Sequence, residues 1–235
     1  MLADSPNIRS QGALSEGILQ PEQSRVAILE FIGGELPKWR DRPGRPAVTA
    51  ETRLTSQLCG HLNSAARHSP GWDGFQFRVE EGDETVLSRT MDLIASAAGT
   101  VIVEGRSYED YETILPIECK RLPTPSGNNR DPREYVVTDP GSTGGIQRFK
   151  EGSHASSHSR AGMIGFVQGD TLDHWYCQVQ KWISELQAAG RPGWSQADEL
   201  TRGPRNVSSK LDVHDSIHTR PGRQPIYLKH FWIQM

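Results

Sequence analysis

The stretch TILPIECKRL, residues 113–122, decides how the fold of this chain is interpreted. It begins as an apolar run typical of a buried strand and then becomes charged at Glu118 and Lys120. Because side chains alternate between the two faces of a strand, Glu118 and Lys120 share one face, while Ile117 and Cys119 share the other. An acid and a base placed in this way are either a salt-bridged strand end or part of an active site.

The segments on either side show clear periodicity. Apolar residues recur every three or four positions in the predicted helices and on alternate positions in most of the predicted strands. The predicted elements are a helix at 49–68, strands at 74–81, 86–96 and 111–122, a short strand segment at 99–105, a helix at 142–155, a strand at 161–168, a helix at 171–190 and a strand at 224–234. This order predicts an α/β fold with a mixed central β-sheet flanked by helices.

The chain is predicted to contain one core with an extension at each end. Residues 1–48 form an N-terminal extension, with a short helix at 24–32 followed by a basic loop at 33–48. Residues 49–190 form the core. Residues 191–235 form a C-terminal extension in which an irregular basic segment precedes an edge strand, and we expect this extension to pack on the same domain.

Composition excludes little by itself, because the net charge of −3 indicates neither a nucleic acid nor a membrane as partner. The distribution of charge is more informative. Eleven acidic and three basic residues lie between Asp73 and Glu118, so the rest of the chain is basic. This suits a metal site that acts on a polyanion, although it also arises by chance.

Three widely spaced cysteines and the lack of a long apolar run predict a cytoplasmic protein with no membrane partner.

Three acids occupy positions where a core residue is expected. Glu51 lies on the apolar stripe of the first core helix, Asp92 lies inside the apolar run of the second strand, and Glu118 lies in the third strand. A buried carboxylate is costly unless it is paired or bound to a metal. Convergence of these acids on Lys120 would meet that need, and oxygen ligands of this kind suit Mg²⁺. For Glu51, an acid at the helix start favoured by the helix dipole is an equally good interpretation.

The order of Glu51 on a helix, Asp92 on the second strand and ECK at 118–120 on the third resembles the PD-(D/E)XK nuclease superfamily. The resemblance covers residues 49–168. It implies the restriction-endonuclease-like fold, whose core has the same order of helix, three strands, helix and strand. The proline that commonly precedes the aspartate in that family is absent here, because Met91 occupies the position.

The resemblance also implies a role for each residue of the site. Asp92 would be the central metal ligand, and Glu118 and the backbone carbonyl of Cys119 would complete the protein ligands. Lys120 would position the attacking water. Glu51 would reach the metal through a water or bind a second metal. The implied cofactor is Mg²⁺, for which Mn²⁺ can substitute.

Candidate substrate-binding residues follow the third strand. Gln147 and Arg148 stand where the family often adds a residue that contacts phosphate, but as neighbours on a helix they cannot both face the site squarely. The long segment 123–145 is rich in Pro, Gly and Asn, which favours a functional loop. Within it, Arg130 and Arg133 are predicted to contact the substrate.

The leading functional hypothesis is a Mg²⁺-dependent endonuclease that hydrolyses DNA, by analogy in restriction or phage defence. Two alternatives stay open: the same chemistry on RNA, or a non-catalytic module that binds nucleic acid or assembles with other proteins. No separate DNA-reading motif is evident, so specificity would come from loops or a partner protein. A double-strand cut would favour a homodimer.

Two histidine pairs offer a different metal hypothesis. His154 and His158 are four residues apart, and so are His214 and His218. On a helix this spacing can hold zinc. Neither segment is a convincing helix and no cysteine lies near either pair, so a zinc site is not favoured.

Overall fold

The computed structural model describes residues 24–82, 90–127, 130–203, 205 and 207–235. Predictions for residues 1–23 and 86–89 therefore lie outside the described residues. The elements in chain order are α1 (Ser24–Arg40), α2 (Glu51–Arg67), β1 (Phe75–Gly82), β2 (Thr90–Ala97), β3 (Val101–Val103), β4 (Arg106–Tyr108), β5 (Thr113–Leu122), α3 (Gly145–Lys150), β6 (Arg160–Val167), α4 (Leu172–Ala188), a 3₁₀ helix (Gln196–Asp198), β7 (Thr201–Arg202), β8 (Leu211–Arg220) and β9 (Arg223–Gln234). None of the described helices combines the length and apolar character that a membrane crossing requires.

Seven strands form one mixed sheet in the order β1-β2-β5-β6-β9-β8-β7. The pairs β1–β2 and β2–β5 are antiparallel, β5, β6 and β9 run parallel, and β8 and β7 return to antiparallel pairing. Strands β3 and β4 form a separate hairpin. The predicted α/β class, with a mixed central sheet flanked by helices, is confirmed.

Helices cover both faces of the sheet. Residues of α1 and α2 share one buried apolar cluster with Leu93, Ile117 and Cys119. Residues of α3 and α4 share a second cluster with Leu122 and Met163. The alternation along β5 therefore divides its side chains between the two layers, as the sequence pattern predicts.

The predicted loop at 33–48 is wrong in its first part, because α1 continues to Arg40. Leu36 and Trp39 are buried in the core, and their burial supports a helix that Gly33 and Gly34 would weaken. A Cβ on Gly33 would lie 2.7 Å from Cε1 of Phe231, so the glycine allows α1 to approach β9 closely.

The irregular basic segment predicted before the C-terminal strand is wrong in part, because β7 and β8 lie within it. The strand predicted at the C-terminal edge is an interior strand, since β9 pairs with β6 on one side and β8 on the other. The missed strand β8 has polar residues on its buried face, where apolar residues are expected. Asp212, His214, Ser216 and His218 are all buried.

A hydrogen-bonded network accommodates Ser216 and His218, whereas Asp212 forms an ion pair with Arg205 and the ring nitrogens of His214 make no hydrogen bond. Asp198 Oδ1 lies 2.6 Å from His218 Nδ1, and Ser216 Oγ lies 2.7 Å from His218 Nε2 and 2.8 Å from His230 Nε2. His230 Nδ1 in turn lies 2.8 Å from the Tyr135 hydroxyl. Since a buried polar group is tolerated when its hydrogen bonds are satisfied, this network stabilises the layer beneath β8 and β9.

Candidate active site

The four residues predicted to be catalytic come together around one ammonium group. Lys120 Nζ lies 2.7 Å from Glu118 Oε1, 3.4 Å from Asp92 Oδ2 and 3.7 Å from Glu51 Oε1. Strand β5 supplies Glu118 and Lys120, β2 supplies Asp92, and the first residue of α2 supplies Glu51. Residues far apart in sequence therefore form one cluster of three carboxylates and a lysine.

Backbone groups near the end of β5 orient this cluster. The Cys119 N–H donates to Asp92 Oδ2 at 2.8 Å, and the Arg121 N–H donates to Glu51 Oε2 at 2.9 Å. Lys120 Nζ donates to the Cys119 carbonyl at 3.1 Å. Glu51 is therefore bound to the end of β5, and the carbonyl predicted to be a metal ligand faces the lysine.

Burial and charge divide the acids into two kinds. Burial raises the pKa of Asp92 to about 6, and the charge of Glu118 adds to the increase. Burial also raises the pKa of Glu51. For Glu118 burial acts in the same direction, but Lys120 and the other neighbouring cations outweigh it and lower the pKa to about 2. Burial disfavours the charged form of Lys120, yet the three carboxylates raise its pKa above the ordinary value. Glu118 and Lys120 are thus an ion pair, and Asp92 is an acid that takes up a proton at a higher pH than an ordinary aspartate.

Solvent reaches two acids of the cluster through a cavity. Glu51 and Asp92 line a cavity of about 180 Å³ between α2 and the β1–β2 pair, together with Thr52, Thr55, Ser56, Val79 and Glu80. Glu118 does not line this cavity and is fully buried. Of the three acids of the cluster, Asp92 and Glu51 are therefore the ones that an entering ion or substrate meets first.

Helix α3 brings Arg148 to the other side of the cluster. Arg148 Nη1 lies 2.6 Å from Glu118 Oε1. Two glycines allow the start of α3 to lie against residues 135–137, because a Cβ on Gly144 would lie 2.3 Å from Val137 Cα and one on Gly145 would lie 2.9 Å from the Tyr135 carbonyl oxygen. The predicted phosphate-binding residue thus contacts a predicted metal ligand in this structure.

Gln147, the neighbour of Arg148, faces elsewhere. Its Oε1 accepts from the Thr138 N–H at 3.1 Å, and its Nε2 donates to Glu151 Oε1 at 2.7 Å and to the Gly141 carbonyl at 3.2 Å. Gln147 is buried and supports the loop before α3. The structure does not bring it to the carboxylates.

The two loop arginines predicted to contact substrate are engaged in ion pairs within the loop. Arg130 Nη2 lies 2.7 Å from Glu134 Oε2, and Arg133 Nη2 lies 2.9 Å from Asp131 Oδ2. A substrate would have to compete with these acids for the guanidinium groups. Contact between these arginines and substrate stays a prediction.

The position of His154 beside Glu118 was not predicted from the sequence. Its Nδ1 lies 3.3 Å from Glu118 Oε2, although the geometry is not that of a hydrogen bond. His154 follows α3, so its only signal in the sequence is its closeness to Arg148. Within the described ranges, no three or more His, Cys, Asp and Glu side chains are grouped as metal ligands, and neither histidine pair forms a zinc site.

The carboxylate and carbonyl oxygens of the site are nevertheless the ligands that a hard cation prefers. Mg²⁺ binds through one or two carboxylates and keeps several waters, so it does not need a preformed set of three side chains. Asp92 provides oxygens beside the cavity, the Cys119 carbonyl accepts from Lys120, and the buried Oε2 of Glu118 makes no hydrogen bond. An oxygen without a hydrogen bond in a buried site is a candidate ligand atom.

Comparisons of the chain with protein-family models, with curated protein sequences and with solved structures gave no match. The fold class follows from the sheet topology. The functional interpretation rests on the geometry around Lys120.

Proposed function

We propose that this protein is a Mg²⁺-dependent endonuclease that hydrolyses DNA phosphodiester bonds. The observation that carries the proposal is the convergence of Glu51, Asp92 and Glu118 on Lys120, with all three distances at 3.7 Å or less. A structural ion pair requires one acid. Burial raises the pKa of Asp92 and Glu51, the charge of Glu118 adds to the increase, and a divalent cation would offset both effects.

The arrangement of elements supports a restriction-endonuclease-like core. Strands β1, β2 and β5 are antiparallel neighbours, and β6 joins β5 in parallel. Helix α2 precedes this set and α3 lies between β5 and β6. The acids occupy α2, β2 and β5 in the order that the sequence resemblance implies.

Each residue can be given a task in phosphodiester hydrolysis. Asp92, Glu118 and the Cys119 carbonyl would hold Mg²⁺, which supplies Lewis-acid polarisation of the phosphate and a more acidic water. Lys120 has a raised pKa and is a cation, so it acts as a hydrogen-bond donor that orients the attacking water and stabilises developing negative charge. Glu51 lies beside the cavity and orients water near the metal.

The test is incubation of purified protein with supercoiled plasmid and, separately, with RNA, each with Mg²⁺ or EDTA. We expect plasmid cleavage in Mg²⁺ and none in EDTA. Glu118→Gln should abolish cleavage, whereas Glu112→Gln, which changes an exposed acid paired with Arg106, should retain it. Cleavage of RNA alone would change the substrate, and cleavage of neither polymer would contradict the proposal.

The choice of metal provides a further prediction. Mg²⁺ and Mn²⁺ should both support cleavage, whereas Ca²⁺ should support binding of DNA without turnover. Ca²⁺ accepts looser and higher coordination and acidifies its water less. The measurement is a plasmid-cleavage rate and a gel-shift affinity with each metal. Full activity in EDTA or a Ca²⁺ rate equal to the Mg²⁺ rate would rule out this mechanism.

A further inference from the structure

The burial of Glu118 is in conflict with a role as metal ligand in the free protein. Its side chain has 0% exposure, and its two oxygens face three neighbouring side chains. Lys120 and Arg148 both contact Oε1, and His154 approaches Oε2. A cation can reach this carboxylate only if one of these neighbours moves.

Arg148 is the neighbour best able to move. Its side chain is 21% exposed, against 5% for Lys120 and 3% for His154. Lys120 is held by Asp92 and the Cys119 carbonyl as well as by Glu118. The guanidinium of Arg148 is therefore both the outermost cover of Glu118 and the cation with access to solvent.

Charge indicates what would make Arg148 move. While Arg148 and Lys120 both contact Oε1, a divalent cation near Glu118 meets two positive charges. A phosphate is the anion that can take the place of Glu118, because guanidinium groups bind phosphate with charge-assisted and often bidentate hydrogen bonds. The phosphate of a bound nucleic acid would draw Arg148 outwards and remove one of the two cations.

We propose that Arg148 is a latch on Glu118: it pairs with this carboxylate in the free protein and exchanges it for a substrate phosphate, which releases Glu118 to the metal. The proposal rests on the proposed nuclease function. It makes binding of the cation and of nucleic acid cooperative, and thermodynamic linkage requires that each ligand tighten the other by the same factor. The latch would prevent the site from assembling in the absence of substrate.

The experiment measures Ca²⁺ binding by calorimetry, alone and with a saturating blunt DNA duplex. The proteins are wild type, Arg148→Gln, Arg148→Lys and Arg106→Gln, the last being an exposed arginine paired with Glu112. Duplex should tighten Ca²⁺ binding by wild type about fivefold or more, as for typical coupled sites. Arg148→Gln should bind Ca²⁺ more tightly than wild type without duplex and gain little from it. Arg148→Lys should retain the coupling in part, and Arg106→Gln should match wild type.

The latch is wrong if Arg148→Gln and wild type bind Ca²⁺ equally without duplex, or if duplex tightens both equally. Plasmid cleavage by wild type in Mg²⁺ separates this result from failure of the nuclease function. Cleavage without coupling removes the latch alone, and coupling without cleavage removes the nuclease assignment alone. If Arg148→Gln fails to fold in a melting experiment, Arg148→Lys decides, and the latch is wrong if duplex tightens its Ca²⁺ binding as much as that of wild type.

Discussion

Lys120→Met is expected to unfold at a much lower denaturant concentration than wild type. Lys120 is buried, and its ammonium is the shared partner of Glu51, Asp92 and Glu118. Methionine preserves much of the side-chain volume but leaves these acids without that cation. Removal of one partner from a buried ion pair costs about 3–5 kcal/mol. The measurement is equilibrium unfolding in urea at neutral pH without divalent metal, and cleavage should be lost as well.

A double variant shows whether Lys120→Met destabilises the protein through the lost charge or through the changed side-chain shape. Glu118→Gln combined with Lys120→Met removes both members of the closest pair, so most of the lost free energy of unfolding should return while cleavage does not. Lys181→Met is the matched control, because Lys181 is exposed on α4 and its Nζ lies 3.8 Å from Glu185 Oε1. This control should change the free energy of unfolding by less than about 0.5 kcal/mol. The central position of Lys120 would be contradicted if the control lost a comparable free energy of unfolding, or if Lys120→Met lost less than about 1 kcal/mol.

The local sequence pattern was sufficient to predict a helix or strand where the buried residues follow the period of that element. The strand predicted at 111–122 is β5 (Thr113–Leu122), and the helices predicted at 49–68 and 171–190 are α2 and α4. These elements bury one regular apolar face or, in β5, nearly every residue. In such segments the local pattern and the tertiary structure agree.

The pattern failed where tertiary contacts override it. Strand β8 faces the core with Asp212, His214, Ser216 and His218, so its sequence lacks the apolar alternation of a strand. Partners outside β8, such as Asp198 for His218 and Arg205 for Asp212, offset part of the cost of this burial. A single sequence does not contain those distant pairings.

The candidate site shows the same division. The convergence of Asp92, Glu118 and Lys120 could be predicted because isolated carboxylates in apolar strands need a partner. The contact of Arg148 with Glu118 and the approach of His154 could not, because both depend on how closely α3 packs against β5. Gly144 and Gly145, which allow the start of α3 to lie against Val137 and Tyr135, look unfavourable for a helix when only the sequence is considered.

Asp92→Asn is expected to be more stable than wild type at neutral pH in EDTA. The pKa of Asp92 is raised from 3.8 to about 6 in the folded protein. Between these values the folded state binds a proton that the unfolded state has released, so the free energy of unfolding falls as the pH rises from about 4 to about 6. Above that window ionised Asp92 lowers the free energy of unfolding of wild type by its full amount. This amount is about 2 kcal/mol after allowance for the 26% exposure of the side chain. Asparagine preserves the shape of the side chain and does not ionise.

The measurement is urea unfolding of both proteins at pH 4 and pH 7.5 in EDTA, and at pH 7.5 in Mg²⁺. The two proteins should be similar at pH 4, and Asp92→Asn should be the more stable at pH 7.5. Mg²⁺ should stabilise wild type more than the variant, because a ligand stabilises only the state that binds it. Asp215→Asn, at an exposed acid paired with Lys229 on the neighbouring strand, should show no such pH-dependent difference. If Asp92→Asn is the less stable protein at both pH values and Mg²⁺ acts equally on both, then Asp92 is a structural acceptor for the Cys119 amide, and the metal must bind elsewhere or not at all.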